Sequence, residues 1–346
     1  MMKRVEYIDA MRGVTMIFVV FSHIVSFAFG DIDIAYNDVI SRFRMPLFFF
    51  ISGWVFYKAE RVWNKNTTIK ILKKKFMVQI IPFLVFMFLS LYVNDMLELK
   101  SFGSDKQGYW FTLVLFEFFV LYIFAVSFFQ RDANKAQGDW QVFLFVVAIS
   151  CISFYYSKYY SRYTIELGHI KTIAGLFSFT KVRFFIFFWF GTFVRKYFDK
   201  FIEWTNNKYT MAVALILFVL MAIFPQLFSI IGIELVAFVM VGICGIVIVF
   251  TFFRVKEDLF KKEHLMGCAL QYIGRRTLDI YLLHYFFLPK DLTSLGVFLC
   301  VYENKPIGLI VGICIAIWVI IISLFVSELI RLSSFLGHYL FGAKQQ

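Results

Sequence analysis

The sequence predicts an all-α protein, a polytopic membrane helix bundle of about ten transmembrane helices. Three observations support this fold class. Of the 346 residues, 61% are hydrophobic, 21% are aromatic and 17% are charged, with a mean hydropathy of +0.76. Soluble chains are roughly 45–50% apolar and about 25% charged. The apolar runs reach the ~20 residues that a helix needs to cross a bilayer. They are also continuous, whereas the strands of a membrane β-barrel alternate between apolar and polar residues.

Ten apolar segments of about this length predict the individual spans. They are residues 8–29, 40–57, 76–95, 109–129, 140–157, 176–195, 209–228, 231–253, 270–289 and 307–330. Charged residues fall in or near the sixth and ninth segments, namely Lys181, Arg183, Arg275 and Arg276. No loop between the segments is long enough to build a soluble core. Residues 1–346 are therefore expected to form a single integral-membrane domain.

The charges of the loops between the spans predict how the protein is oriented in the membrane. Residues 58–75 hold seven basic residues and one acid, while residues 30–38 hold three Asp and no base. Residues 195–208 and 254–276 are also rich in basic residues, and the three basic loops alternate with the others. The positive-inside rule then places both termini in the cytoplasm. Because the net charge of +12 is concentrated in such loops, it predicts contact with membrane lipid headgroups and no nucleic-acid partner.

Metal chemistry is not expected. The cysteines form no C-x-x-C pair; they are Cys151, Cys244, Cys268, Cys300 and Cys314. Most of them lie in apolar runs, where a free Cys behaves as a small hydrophobic residue. The sequence therefore predicts neither a zinc site nor a disulfide framework.

The first apolar segment carries Asp9, Arg12 and His23, and charge inside a bilayer is costly. Arg12 and His23 are 11 residues apart, which places them on one helix face about 16 Å apart along the axis. Asp9 lies three residues before Arg12, close enough to pair with it. Simpler interpretations remain open, because Arg12 can extend to the cytoplasmic interface and His23 can be a core histidine bonded to a carbonyl.

Other spans carry ionisable residues at a similar predicted depth. With His23, they are Arg44, Glu117, Arg183 and His284, the last preceded by Tyr281. Such residues usually face a bundle interior or a water-filled cavity, which favours a buried polar chamber in the outer half of the membrane. The alternative is a set of separate interhelical pairs or interfacial anchors.

Several stretches, taken in order, resemble the acyltransferase family 3 membrane proteins. "YIDAMRGVTMIFVVFSHI" is similar to the first helix of that family, with its basic-x(10)-His pattern at Arg12 and His23. "FRMPLFFFISGWVF" resembles the second-helix stretch, and "LDIYLLHYFF" resembles the late Tyr-Leu-Leu-His motif. "YWFTLVLFEFFVLY" and "FFIFFWFGTF" are compatible with the segments between them.

The resemblance implies transfer of an acyl group, usually acetyl, from acyl-CoA to a sugar hydroxyl of a cell-surface or exported polysaccharide. We expect His23 to accept the proton of the attacking hydroxyl. We expect Arg12 and the second loop to hold the phosphates of acetyl-CoA or another acyl-CoA donor, through Lys73, Lys74 and Lys75. Either Arg44, Arg183 or Tyr281 is expected to stabilise the oxyanion or hold the glycan acceptor. Glu117 and His284 are expected to orient His23 or bind acceptor hydroxyls.

Direct attack and a histidine-linked acyl intermediate both remain open. The resemblance implies a multi-pass protein, and we expect it in a bacterial inner membrane. The rival interpretation is a transporter of a sugar, a glycan or a proton-coupled solute, because buried His, Glu and Arg residues also mark transport pathways. A scaffold for polysaccharide export is the third.

Overall fold

The computed structural model describes residues 5–30, 36–93, 106–130, 138–160, 174–224, 228, 233–301 and 305–342. These residues form helices and no β-strand. The described α-helices are α1 Glu6–His23, α2 Asn37–Phe56, α3 Lys65–Val93, α4 Trp110–Phe129, α5 Asp139–Tyr160, α6 Phe185–Lys196, α7 Phe198–Asn206, α8 Lys208–Ile223, α9 Glu234–Val255, α10 Leu265–Arg275, α11 Thr277–Leu283, α12 Thr293–Val301, α13 Lys305–Arg331 and α14 Ser334–Phe341. The all-α membrane fold class is confirmed.

By length and apolarity, seven helices among the described residues are able to cross a membrane. They are α1 with its extension to Ala28, α2, α3, α4, α5, α9 and α13. The helices α7 and α8 form an eighth span if the pair, bent by 83°, crosses as one. The structure does not confirm the predicted count of about ten, and the cytoplasmic position of both termini stays a prediction.

The sixth and ninth predicted spans account for part of the difference, because both are interrupted. The segment 176–195 begins with a 3₁₀ turn, Phe179–Phe184, and leaves an α6 of 12 residues. The segment 270–289 breaks at Arg276 into the end of α10 and the seven-residue α11. An α-helix rises about 1.5 Å per residue, so α6 is about 18 Å long and too short to cross a bilayer alone.

The chain divides into two compact units, residues 1–51 with 199–330 and residues 52–198 with 331–346. In the first unit, α1 and α10 approach so closely that backbone meets backbone. A Cβ atom on Gly13 would lie 2.1 Å from the carbonyl oxygen of Leu270, and one on Gly274 would lie 1.9 Å from that of Asp9. Such small-residue contacts are the usual basis of close helix packing in membranes. The contact holds α10, and α11 after it, beside α1.

The second unit is built around aromatic side chains. Phe56 at the end of α2 packs against Phe119 of α4 and Phe188 of α6, with ring centroids 4.6 Å and 5.9 Å away. Gly53 permits this arrangement, because a Cβ atom there would lie 1.9 Å from the carbonyl oxygen of Phe188. Gly53 therefore leaves room for the backbone of α6. The helix α14 closes onto α3 through Phe341 and Phe86, whose ring centroids are 6.1 Å apart.

Candidate functional site

Two histidines from distant parts of the sequence meet in the first unit. Nδ1 of His23, the last residue of α1, lies 2.8 Å from Nε2 of His284. Nδ1 of His284 lies 3.0 Å from the carbonyl oxygen of Ile280. The two rings are nearly parallel, with centroids 5.0 Å apart. His284 is fully buried, whereas His23 is partly accessible. His23 is therefore the member of the pair that is able to meet a substrate.

This chain of contacts fixes the proton positions when both rings are neutral. The carbonyl of Ile280 only accepts, so His284 Nδ1 carries a hydrogen and donates it. Nε2 of His284 then has a lone pair, which accepts the hydrogen of His23 Nδ1. His23 is left with a lone pair on Nε2. The arrangement thus gives a neutral imidazole whose Nε2 is able to accept a proton.

The local backbone brings these rings together. The helix α1 changes to a π-helical turn, Ile24–Ala28, directly after His23, and π turns in α-helices are frequent at functional sites. The helix α11 tightens into a 3₁₀ turn, His284–Phe286, at the other histidine. Ser22 donates a hydrogen bond of 2.6 Å to Asn37 at the start of α2, which ties the end of α1 to the next helix.

Arg12 reaches the same short helix from the other end of α1. Its Nη2 donates to Oγ1 of Thr277, the first residue of α11, over 3.0 Å. The prediction that Arg12 and His23 share a helix face is therefore confirmed, since both side chains contact the segment from Thr277 to His284. Asp279 within α11 is buried and accepts a 2.5 Å hydrogen bond from Ser327 of α13. This bond anchors α11 to α13.

Arg44 of α2 supplies a positive charge near the histidines. It lies within electrostatic range of both His23 and Tyr285. Its Nε and Nη1 atoms are buried, and neither has a hydrogen-bond partner among the residues that the structure describes. A buried guanidinium with unused donors is costly unless a ligand or water satisfies it. Arg44 is thus available to an anion or a developing negative charge.

Two tyrosines complete this region. Tyr281 is buried, and its ring centroid lies 6.0 Å from that of His284. The hydroxyl of Tyr285 lies 3.3 Å from Nε2 of His23, and the two rings are stacked with centroids 5.0 Å apart. Tyr285 was not predicted as a site residue, although its position directly after His284 in the Tyr-Leu-Leu-His motif was a usable signal. Thr277 was also missed, since a lone threonine in an apolar segment carries no such signal.

Glu117 and Arg183 lie in the second unit, whereas the two histidines and Arg44 lie in the first. Both carboxylate oxygens of Glu117 are buried, and the structure gives them no hydrogen-bond partner within its described ranges. Arg183 donates from Nη1 to Ser157 over 3.2 Å, and its guanidinium lies over the ring of Phe184. A single chamber containing all five ionisable residues stays a prediction.

The lysines predicted in the second loop, Lys73, Lys74 and Lys75, lie instead inside α3, which begins at Lys65 in the second unit, so their assignment to a loop was wrong. Lys73 and Lys74 are exposed. The Nζ atom of Lys75 sits 3.9 Å from the ring centroid of Phe119, so this lysine is partly engaged in a cation–π contact. Lys73 and Lys74 are the two whose charges are open to a partner. Within the described part of the chain, no cluster of three His, Cys, Asp or Glu side chains is suited to hold a metal ion.

The comparisons with known proteins agree with the motif pattern. The acyltransferase 3 family model, described as an acyltransferase domain, matches residues 5–327, nearly the whole chain. In the same comparisons, no curated protein and no solved structure matches the chain. The matched region contains α1, α11 and the paired histidines between them. Because the model covers well over half of the sequence, the chain belongs to the acyltransferase 3 family of membrane acyltransferases.

Proposed function

We propose that this protein moves an acyl group, most simply acetyl, from cytoplasmic acyl-CoA to a hydroxyl of a cell-surface or exported polysaccharide. The proposed setting is the inner membrane of a bacterium, with both termini in the cytoplasm. The observation that carries the proposal is the contact of His23 Nδ1 with His284 Nε2, because with both rings neutral it leaves Nε2 of His23 able to accept a proton.

In the proposed reaction, His23 acts as general base. The acceptor oxygen attacks the thioester carbonyl carbon as its proton passes to His23 Nε2, giving a tetrahedral intermediate. The carbon–sulfur bond then breaks, and the coenzyme A thiolate takes the proton back from His23. A positioned general base typically contributes about 10²–10⁴ in rate. His284 acts as a positioning residue, since its Nε2 accepts from the Nδ1–H of His23 both before and after the proton transfer.

Arg44 is assigned to the negative charge that develops on the thioester oxygen. Its buried Nε and Nη1 are donors without partners among the described residues, and preorganised donors of this kind stabilise an oxyanion. Tyr281 is assigned to the same role as Arg44, stabilising the oxyanion, because its ring packs near that of His284. Glu117 and Arg183 are proposed to bind acceptor hydroxyls, which would satisfy the unpartnered carboxylate oxygens of Glu117.

Arg12 is proposed to hold a phosphate of the donor, together with Lys73, Lys74 and Lys75. Its contact with Thr277 fixes the side chain near the predicted cytoplasmic end of α1. A guanidinium is the side chain best suited to bind a phosphate. The separation of Arg12 from His23 suits a long donor that enters from the cytoplasm and delivers its acyl group deeper in the membrane.

The test is mass spectrometry of surface polysaccharide from cells with wild type, with His23→Ala and without the protein. His264→Ala serves as the matched control, since His264 is exposed in the loop before α10. An acyl-sized mass with wild type and with His264→Ala, but with neither of the others, supports the proposal and identifies the group. Identical glycans in all four strains at matched protein levels contradict it. Solute flux in the absence of acyl-CoA would favour transport instead.

A further inference from the structure

The hydroxyl of Tyr285 contacts Nε2 of His23, the nitrogen that accepts the proton in the proposed reaction. It lies 3.3 Å from Nε2 of His23, whereas His284 contacts the other ring nitrogen, Nδ1. Because His23 Nδ1 already donates to His284, Nε2 has only a lone pair to offer. Tyr285 is therefore the donor in this contact, and its hydroxyl stands where the hydroxyl of an acceptor must come.

Tyr285 is less buried than His284. It belongs to the short 3₁₀ turn that follows α11, and its side chain is partly exposed. The ring of Phe27, which is 60% exposed, touches the edge of both His23 and Tyr285, with ring centroids 5.9 Å and 6.1 Å away. His284, by contrast, is fully buried and bonded at both nitrogens. One partner of His23 is thus fully buried, and the other is partly exposed.

We propose that Tyr285 is a positioning residue that covers the base nitrogen of His23 until an acceptor hydroxyl displaces it. The inference rests on the proposed role of His23 as general base, and it adds protection of the acyl donor. Without a cover, a water molecule is able to use Nε2 in place of the acceptor. Its oxygen attacks the thioester carbonyl, its proton passes through His23 to the leaving thiolate, and the products are a free carboxylic acid and coenzyme A.

The cover itself is tested without any turnover, by reaction with diethyl pyrocarbonate, which modifies an imidazole nitrogen through its lone pair. Purified wild type and Tyr285→Phe are treated, and modification of His23 is followed by peptide mass spectrometry. The exposed His264 in the same sample is the internal standard. Removing one neutral hydrogen bond is expected to speed modification of His23 about 2- to 10-fold. An unchanged rate overturns the cover, whatever the activity assays give.

The protective role is tested by release of coenzyme A from acetyl-CoA and succinyl-CoA with no acceptor present. Tyr285→Phe is expected to hydrolyse the donor about 2- to 10-fold faster than wild type. The double variant Tyr285→Phe with His23→Ala should not show this faster hydrolysis, because it lacks the base. Tyr272→Phe is the matched control, because it removes a hydroxyl bonded to Glu328 in the same unit. Hydrolysis that stays at the wild-type rate, although His23 is modified faster, overturns the protective role.

The two experiments separate this inference from the proposed function. If wild type acylates no glycan but Tyr285→Phe still exposes His23 to modification, the proposed function fails and the contact between Tyr285 and His23 stands. If wild type acylates glycan, and Tyr285→Phe changes neither the rate of His23 modification nor the rate of donor hydrolysis, the proposed function stands and this inference fails.

Discussion

Replacing His284 by Phe tests whether the buried histidine sets the proton position of His23. Phe keeps an aromatic ring in the stack but has no atom that accepts a hydrogen bond. The Nδ1–H of His23 would lose its 2.8 Å contact, and the imidazolium formed during the reaction would lose its acceptor. A hydrogen bond to a charged group is worth about 1.5–3 kcal/mol, which corresponds to roughly a 10- to 150-fold loss of kcat.

The assay is release of coenzyme A in the presence of glycan acceptor, at saturating acyl donor and matched levels of folded protein. His284→Gln is the rescue variant, because its side-chain oxygen is able to accept from His23 Nδ1–H, and it should recover part of the lost kcat. His264→Phe, in an exposed loop, is the control for the substitution itself. Activity of His284→Phe within about twofold of wild type would refute a role for the pair, since this corresponds to less than about 0.5 kcal/mol.

Three further substitutions test the parts that support the site. Gly274→Ala places a methyl group 1.9 Å from a backbone oxygen of α1, so we expect a loss of about 1–3 kcal/mol or more in stability. This loss is measured as a lower melting temperature in detergent against Cys268→Ala, an exposed change on the same helix. Arg12→Lys keeps the charge but loses the planar guanidinium, so the KM for acyl-CoA should rise more than kcat falls; an unchanged KM contradicts donor binding. Lys73→Glu should raise that KM about 2- to 5-fold at low salt and less at high salt, whereas an equal effect from the exposed Lys200→Glu would make the change nonspecific.

The helix α1 was the most predictable part of the molecule. The spacing of Arg12 and His23 follows from helix geometry, and the structure places both against the segment from Thr277 to His284. What each side chain touches was not predictable, because the partners lie more than 260 positions away and depend on how α1 packs against α10 and α11. Tyr285 illustrates this limit, since only the 3₁₀ turn after α11 brings its hydroxyl to His23.

The number of spans was harder to predict for a different reason. Hydropathy measures how apolar a segment is, and residues 176–195 and 270–289 are apolar enough to count. Hydropathy does not show where a backbone changes from an α-helix to a 3₁₀ turn or breaks at a residue such as Arg276. Those breaks leave short helices, and in the segment 270–289 they provide the turn that carries His284.

The seven-residue helix α11 makes this region intolerant of insertions and deletions. Thr277 at its start contacts Arg12, and His284 directly after its end contacts His23. Adding or removing one residue between them would rotate one contact relative to the other by about 100° and shift it by about 1.5 Å. One of the two contacts would then be lost, so a change of length in this segment has to be matched by a change in α1. Evolution is therefore expected to alter the protein by substitution within α11 and to confine changes of length to other segments.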